Sequence, residues 1–172
     1  MLNGYADLHI HTNASDSTFT AKEVLEKAKS IGLISISITD HDTIDSIEAS
    51  LELGKSYDIE VIPGVELSAE EDGKEIHMLG YYINYKDEKL LKILKILKDA
   101  RLERVKKILQ KLTELGLNLD LKEVLKLTES FTSVGRLHIA RALKNADLIV
   151  DISEAFRKYI GQNGPAYVKK YF

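Results

Sequence analysis

A chain of 172 residues, 44% hydrophobic and 30% charged, is long enough for one domain with a sizeable core and has a soluble globular profile. Its net charge of -3 excludes an overall basic surface for nucleic acid, although bound cations would supply positive charge that side-chain counting misses. The absence of cysteine excludes disulfides, thiolate metal sites and cysteine nucleophiles. No basic segment leads into an apolar run at the N-terminus, and no stretch approaches the ~20 apolar residues of a membrane span, so a cytoplasmic protein without a membrane partner is expected.

Tyr5 to Ile10 has the length and apolar content of a buried strand. His9 and His11 stand two apart, which places both imidazoles on one face of a strand, and Asp16 follows after the polar loop Thr12 to Ser15. Imidazole and carboxylate are the usual donors for divalent transition metals. An isolated His-x-His is nevertheless more often a pair of ordinary strand residues, so the rest of the chain has to decide. Thr20 and Glu23 form a capping box for a helix through Val24, Leu25, Ala28 and Ile31 that stops at Gly32. Residues 33–39 alternate as a strand and end in Asp40-His41-Asp42. A second helix is expected from about Thr43 to Tyr57, with Ile44, Ile47, Leu51 and Leu53 facing inward. Ile59 to Ile62 opens a third strand, which Pro63-Gly64 breaks or bends before Val65 to Ser68. Glu70 to Lys74 reads as a hairpin turn and Glu75 to Ile83 as a fourth strand.

Strand, helix, strand, helix, strand argues for α/β units with parallel strands, whose chemistry sits at the carboxyl ends of the strands. His9 and His11 close the first strand, His41 the second, and Glu66 lies near the end of the third. His77 falls mid-strand after a hairpin, so its strand is expected to run antiparallel to the third. From Asp87 to Gly116 leucines recur at helical spacing, giving an apolar stripe on one long helix or two joined ones. Shorter helices are expected at about 120–129, 134–145 and 151–160, and Ala166-Tyr167-Val168 as the start of a fifth strand. The organisation is thus an α/β part over 1–86, a helical part over 87–163, and a return into the first part over 164–172.

Four of the five histidines lie in the first 77 residues, at or beside strands, with Asp16 and Glu66 similarly placed. Any one of them reads as a satisfied polar group; all of them at the strand ends of one α/β unit read as a metal site. A carboxylate such as Glu66 can bridge two ions, and two-metal centres hold ions about 3.5–4 Å apart to activate a water and stabilise an in-line displacement.

His9-Ile-His11-Thr with Asp16, Thr39-Asp40-His41-Asp42, Pro63-Gly64-Val65-Glu66-Leu67-Ser68 and Glu75-Ile-His77-Met-Leu-Gly80 together resemble the PHP (polymerase and histidinol phosphatase) family. The nearest subgroup is the small bacterial metal-dependent phosphoesterases acting on nucleotides or short RNA. The resemblance also covers Val134-Gly135-Arg136-Leu137-His138-Ile139-Ala140-Arg141. It implies a distorted (β/α)7 barrel, here incomplete and carrying an all-helical insertion, with two or three manganese, zinc or iron ions. It makes His9, His11, Asp16, His41, Glu66 and His77 the metal ligands, with Glu66 bridging and Asp16, His41 and Glu66 carrying the reaction. Arg136 and His138 would face the substrate phosphate, which a guanidinium fork suits; on the residues alone, a surface salt bridge and a helix-packing histidine are the simpler readings. Leu137 departs from the proline usual in the subgroup. Asp7 is expected to hold an imidazole by its other N–H, and Asp40 and Asp42 to support or cap.

The family pattern continues with a late His and a Ser-Asp-x-His motif, and no histidine follows His138 here. The expectation is a piece of a longer protein, or else a chain completed by dimerisation or by a partner. The expected activity is hydrolysis of a phosphate ester of a nucleotide or short oligonucleotide by a metal-activated water. The alternatives are a non-catalytic metal-binding module and a histidinol-phosphatase-like enzyme.

Overall fold

The first strand, β1 (Tyr5–Ile10), is not buried, contrary to its apolar composition: Tyr5 is 81% exposed and Leu8 39%. The computed structural model describes residues 4–72, 74–128 and 133–170, and in it β1 pairs on one side only, with β2 (Leu33–Ile38). The four-stranded sheet has the order β1-β2-β3-β4, parallel for the first two pairings and antiparallel for the last. Between Asp7 and Ile10 the register slips against Ile36 and Ile38, so β1 carries one extra residue there. Such a bulge re-aims side chains, and it lies at Leu8-His9, with the His9 amide donating to the Asp7 carboxylate at 3.2 Å.

Helix α1 (Ala21–Ser30) starts as expected: the Glu23 amide donates to Thr20 Oγ1 and the Thr20 amide to the Glu23 carboxylate. Val24, Leu25 and Ala28 are buried against Ile36, Ile38 and Ile59, the core of this half. Helix α2 (Ile47–Tyr57) begins four residues later than the pattern implied. Asp42 is left-handed (φ 51°), which no helix continues through, and the Thr43 hydroxyl accepts from the Asp45 amide in a local turn that competes with helix.

Strand β3 (Glu60–Glu71) runs unbroken through Pro63-Gly64, where a break or bend was expected. That dipeptide marks a change of partner. Residues 60–63 pair with β2, and residues 64–71 pair with β4 (Lys74–Tyr81), which does run antiparallel. A Cβ on Gly64 would strike Ser37 Oγ and lie 2.9 Å from Thr39 Cγ2. Gly73 of the expected hairpin turn lies outside the described residues; Asp72 beside it is left-handed (φ 50°).

Two compact units result, residues 1–95 and 96–172, and the division falls within the single 27-residue helix α3 (Glu88–Glu114). The second unit adds α4 (Leu121–Leu125), α5 (Arg136–Asn145), α6 (Ile152–Ala155) and a π-helical turn over Phe156–Ile160. Residue 129, the expected end of α4, lies outside the described residues. The core of this unit gathers Val105, Ile108, Leu112, Val124, Ile139, Leu143 and Ile160. Residues 166–168 are not a strand. The carbonyls of Tyr167 and Val168 accept from Lys111 Nζ (3.0 Å) and Arg104 Nε (2.8 Å), so side chains of α3 take the place of a ladder. Among the described residues no helix is long and apolar enough to cross a membrane.

Gly64→Ala should lower stability by about 1–3 kcal/mol through overpacking, and Leu112→Ala, at a fully buried position, by about 2–5 kcal/mol through the cavity it leaves. Urea unfolding of each variant measures both; an unchanged midpoint for Gly64→Ala would show that β3 passes Ser37 and Thr39 less closely than described.

Candidate metal centre

His9, His11, Asp16 and His41 come from a strand end or the turn beyond it, and Glu66 and His77 from mid-strand positions on β3 and β4. His9 sits on the bulge of β1, and His11 follows one residue after that strand. Asp16 ends the loop that folds back over it. His41 lies three residues past β2, where its backbone forms a parallel bridge to Glu66 of β3. The Asp42 amide donates to the Glu66 carbonyl (2.9 Å) and the Glu66 amide to the Asp40 carbonyl (3.2 Å), which locks the two segments side by side. His77 stands on β4 opposite Ser68, two residues from Glu66 on the neighbouring strand. The antiparallel turn-back therefore brings a mid-strand histidine to the same end of the sheet as the others.

Glu66 is the centre, with its side chain 5% exposed. Its Oε2 lies 3.0 Å from His9 Nε2, 2.9 Å from His11 Nε2 and 3.6 Å from His41 Nδ1, while its Oε1 lies 2.7 Å from His77 Nδ1. Asp16 forms a second corner, with Oδ1 3.0 Å from His11 Nδ1 and Oδ2 3.7 Å from His41 Nε2. The rings follow one another at centroid distances of 5.1, 4.7 and 4.8 Å along His9, His11, His41 and His77. Three triads have donor atoms within 4.8 Å of one another: His9–His11–Glu66, His11–Asp16–His41 and His41–Glu66–His77. Each pair of triads shares one residue, and Glu66 is the carboxylate common to two.

Burial works against ionisation of Glu66, but the hydrogen bond from His9 and the charges of His41, His11 and His77 outweigh it and hold the carboxyl below its usual range. Burial likewise opposes a charge on His11. There the hydrogen bond and charge of Asp16, followed by Glu66 and Asp40, win and raise the imidazole above its ordinary value. A cluster of imidazole nitrogen and carboxylate oxygen, free of sulfur, suits divalent cations of the zinc, manganese and iron kind.

Two supporting carboxylates carry more than their sequence position conveyed. Asp42 accepts from the Ser68 amide at 2.7 Å and so ties the His41 turn to β3. Asp40 accepts from four donors on the neighbouring turns. Asp7 is exposed and bonds the His9 backbone amide, not an imidazole. In the second unit, Arg136 opens α5 with its guanidinium 5.9 Å from the Phe156 ring and 5.6 Å from the Tyr167 ring. His138 is 1% exposed, and its Nδ1 accepts from the Gly135 amide at 3.2 Å, capping its own helix.

The sequence was compared with protein families and with known proteins. The PHP domain model matches residues 7–167. A 5'-3' exoribonuclease of Haemophilus influenzae is 32% identical over 163 residues, which cover 95% of this chain and 59% of the relative. A phosphoribosyl 1,2-cyclic phosphate 1,2-diphosphodiesterase of Eggerthella lenta is 31% identical over 139 residues, 80% of this chain and 53% of the relative. Among solved structures, a chain of Bifidobacterium adolescentis provisionally described as a metal-dependent phosphoesterase superposes with a TM-score of 0.90 at 27% identity, over 98% of this chain and 59% of that one. The chain thus spans a little over half the length of the curated relatives it matches. Because the family match starts in β1 and runs past the π-helical turn, through both compact units, the chain belongs to the PHP domain family.

Proposed function

We propose that this chain carries the metal-holding part of an enzyme that hydrolyses phosphate esters of nucleotides or short oligonucleotides, with its strands as the first part of a distorted (β/α)7 barrel. The observation that carries the reading is the set of three overlapping donor triads joined through Glu66. His9, His11, Asp16, His41, Glu66 and His77 hold two or three divalent cations, manganese, zinc or iron, with Glu66 bridging. When bound, such ions lower the pKa of coordinated water and draw charge from phosphoryl oxygens. The chain's own part is orientation. Glu66, ionised and buried, fixes its two oxygens toward different sets of imidazoles, and Asp16 holds His11. By the same reading, Asp16, His41 and Glu66 would carry the reaction. By the resemblance, Arg136 at the N-terminal end of α5 would take the phosphate of the substrate, since a guanidinium fork and a helix N-terminus both suit phosphate oxygens, while His138, assigned to the same phosphate, is buried and caps that helix from within, so its share is to hold the helix start. The names of the relatives, an exoribonuclease and a cyclic-phosphate diesterase, support a phosphate ester of a nucleotide-like compound. A cytoplasmic setting fits the same substrates.

Zinc or manganese uptake by the purified chain, followed by phosphate release from a nucleoside 3',5'-bisphosphate and from histidinol phosphate, tests the reading. Uptake with release from the bisphosphate is expected. Uptake without turnover of either compound would favour the metal-binding module, and preference for histidinol phosphate would move the substrate class. Glu66→Gln should remove cation binding from the two triads it joins and abolish turnover. Full metal content in that variant would contradict the bridging role.

The pH dependence has a definite sign. Because His11 keeps its proton above the ordinary imidazole range, a cation has to displace that proton. Metal affinity should therefore rise with pH through the ordinary imidazole range and above it, with protons released on binding, and fall as pH drops. Glu66, held ionised to lower pH than usual, should not limit binding until solution more acidic than the usual carboxylate range. Titration calorimetry in buffers of different ionisation enthalpy counts the protons; uptake independent of pH across the imidazole range would contradict the His11 assignment.

A further inference from the structure

Asp40 precedes His41 and takes no part in the proposed cation shell, yet its carboxylate accepts four hydrogen bonds. It is 1% exposed. Its Oδ1 accepts from the Thr12 amide and from Ser15 Oγ, both at 2.6 Å. Its Oδ2 accepts from Thr12 Oγ1 at 2.6 Å and from Ser46 Oγ at 2.5 Å. The donors come from two different segments: the loop that follows β1 and the residue that opens α2.

The bond from Ser46 ties the start of α2 to the same carboxylate. Ser46 opens α2 with helical backbone angles and makes no side-chain cap bond; its hydroxyl donates to Asp40.

The donors also have a definite address. Thr12 adjoins His11, Ser15 adjoins Asp16, and Asp40 itself adjoins His41. One buried carboxylate therefore grips the chain next to each member of the His11–Asp16–His41 triad. Ser15 completes the path. Its proton goes to Asp40, and the same oxygen lies 3.4 Å from His11 Nδ1 and 3.5 Å from Asp16 Oδ1. The side chain of Asp40 makes no such bond beside His9 or His77.

We infer that Asp40 is a positioning residue that sets the spacing of His11, Asp16 and His41, and so governs the cation affinity of that triad more strongly than that of the His41–Glu66–His77 triad, with which it shares His41 alone. The inference rests on the metal-centre reading above. Partners that orient ligands in this way typically alter metal affinity by roughly 10–100-fold when removed.

The test is equilibrium dialysis of the whole chain and of Asp40→Asn against zinc, with elemental analysis, and the visible spectrum of the cobalt-loaded proteins as a report on ligand geometry. The expected result is that Asp40→Asn, folded by circular dichroism, binds one cation roughly 10–100-fold more weakly, loses the cobalt bands of that site, and loses less of the remaining affinity. A general loss of packing would lower the melting temperature without this selectivity. Should Asp40→Asn fail to fold, Ser15→Ala decides: it leaves three of the four bonds to Asp40 in place and should weaken the same cation to a smaller degree. Unchanged zinc content, affinity and cobalt spectrum in the folded variants, or equal weakening of every cation, would overturn the inference while leaving the metal centre standing. Absence of zinc and cobalt from the unmodified chain would overturn both.

Discussion

A single buried carboxylate surrounded by four imidazoles is the constraint on which this half of the molecule depends. Burying a charge is costly unless it is paired and hydrogen-bonded. Glu66 meets that requirement with histidines from three strands or strand ends, two from the β1 segment and one each from the His41 turn and β4. Hydrogen bonds hold the cluster together, and on the proposed reading the same nitrogens and oxygens would be the cation donors.

The sheet exists to present that carboxylate. Two parallel pairings carry the ends of β1 and β2 to one edge. β3 then changes partner at Pro63-Gly64 and turns back as β4, which delivers His77 from mid-strand to the same place. A bulge in β1 lets His9 and His11 stand together although only the first belongs to the strand. Around this core, backbone bridges between His41 and Glu66 and the carboxylates of Asp40 and Asp42 fasten the turns to one another.

Much of this was legible beforehand, for physical reasons that differ from element to element. The capping box at Thr20 and Glu23 is a local hydrogen-bond pattern and appears as read. The histidines and Glu66 were legible as a group because α/β topology sends strand ends to one edge. The burial of β1 was misread because apolar content reports what a strand can bury, not whether a neighbour is present on its other side. The late start of α2 was hidden because Ile44 falls on the helical spacing of Ile47 and Leu51, while the Thr43 hydroxyl accepts from the Asp45 amide in a local turn that periodicity does not encode. Pro63-Gly64 reads as punctuation in any local scheme; only the sheet shows that it marks a change of partner. The carbonyls of Tyr167 and Val168 meet side chains more than fifty residues distant, which no local pattern anticipates.

The central claim is that the imidazoles at positions 9, 11, 41 and 77 and the carboxylates of Asp16 and Glu66 jointly bind divalent cations. The most direct measurement is a zinc anomalous difference map from crystals of the chain grown with zinc. The account predicts at least two peaks, one on each side of the Glu66 carboxylate, with nitrogen and oxygen ligands at about 2.0–2.2 Å. Zinc bound only elsewhere, or an empty cluster under saturating zinc, would contradict it.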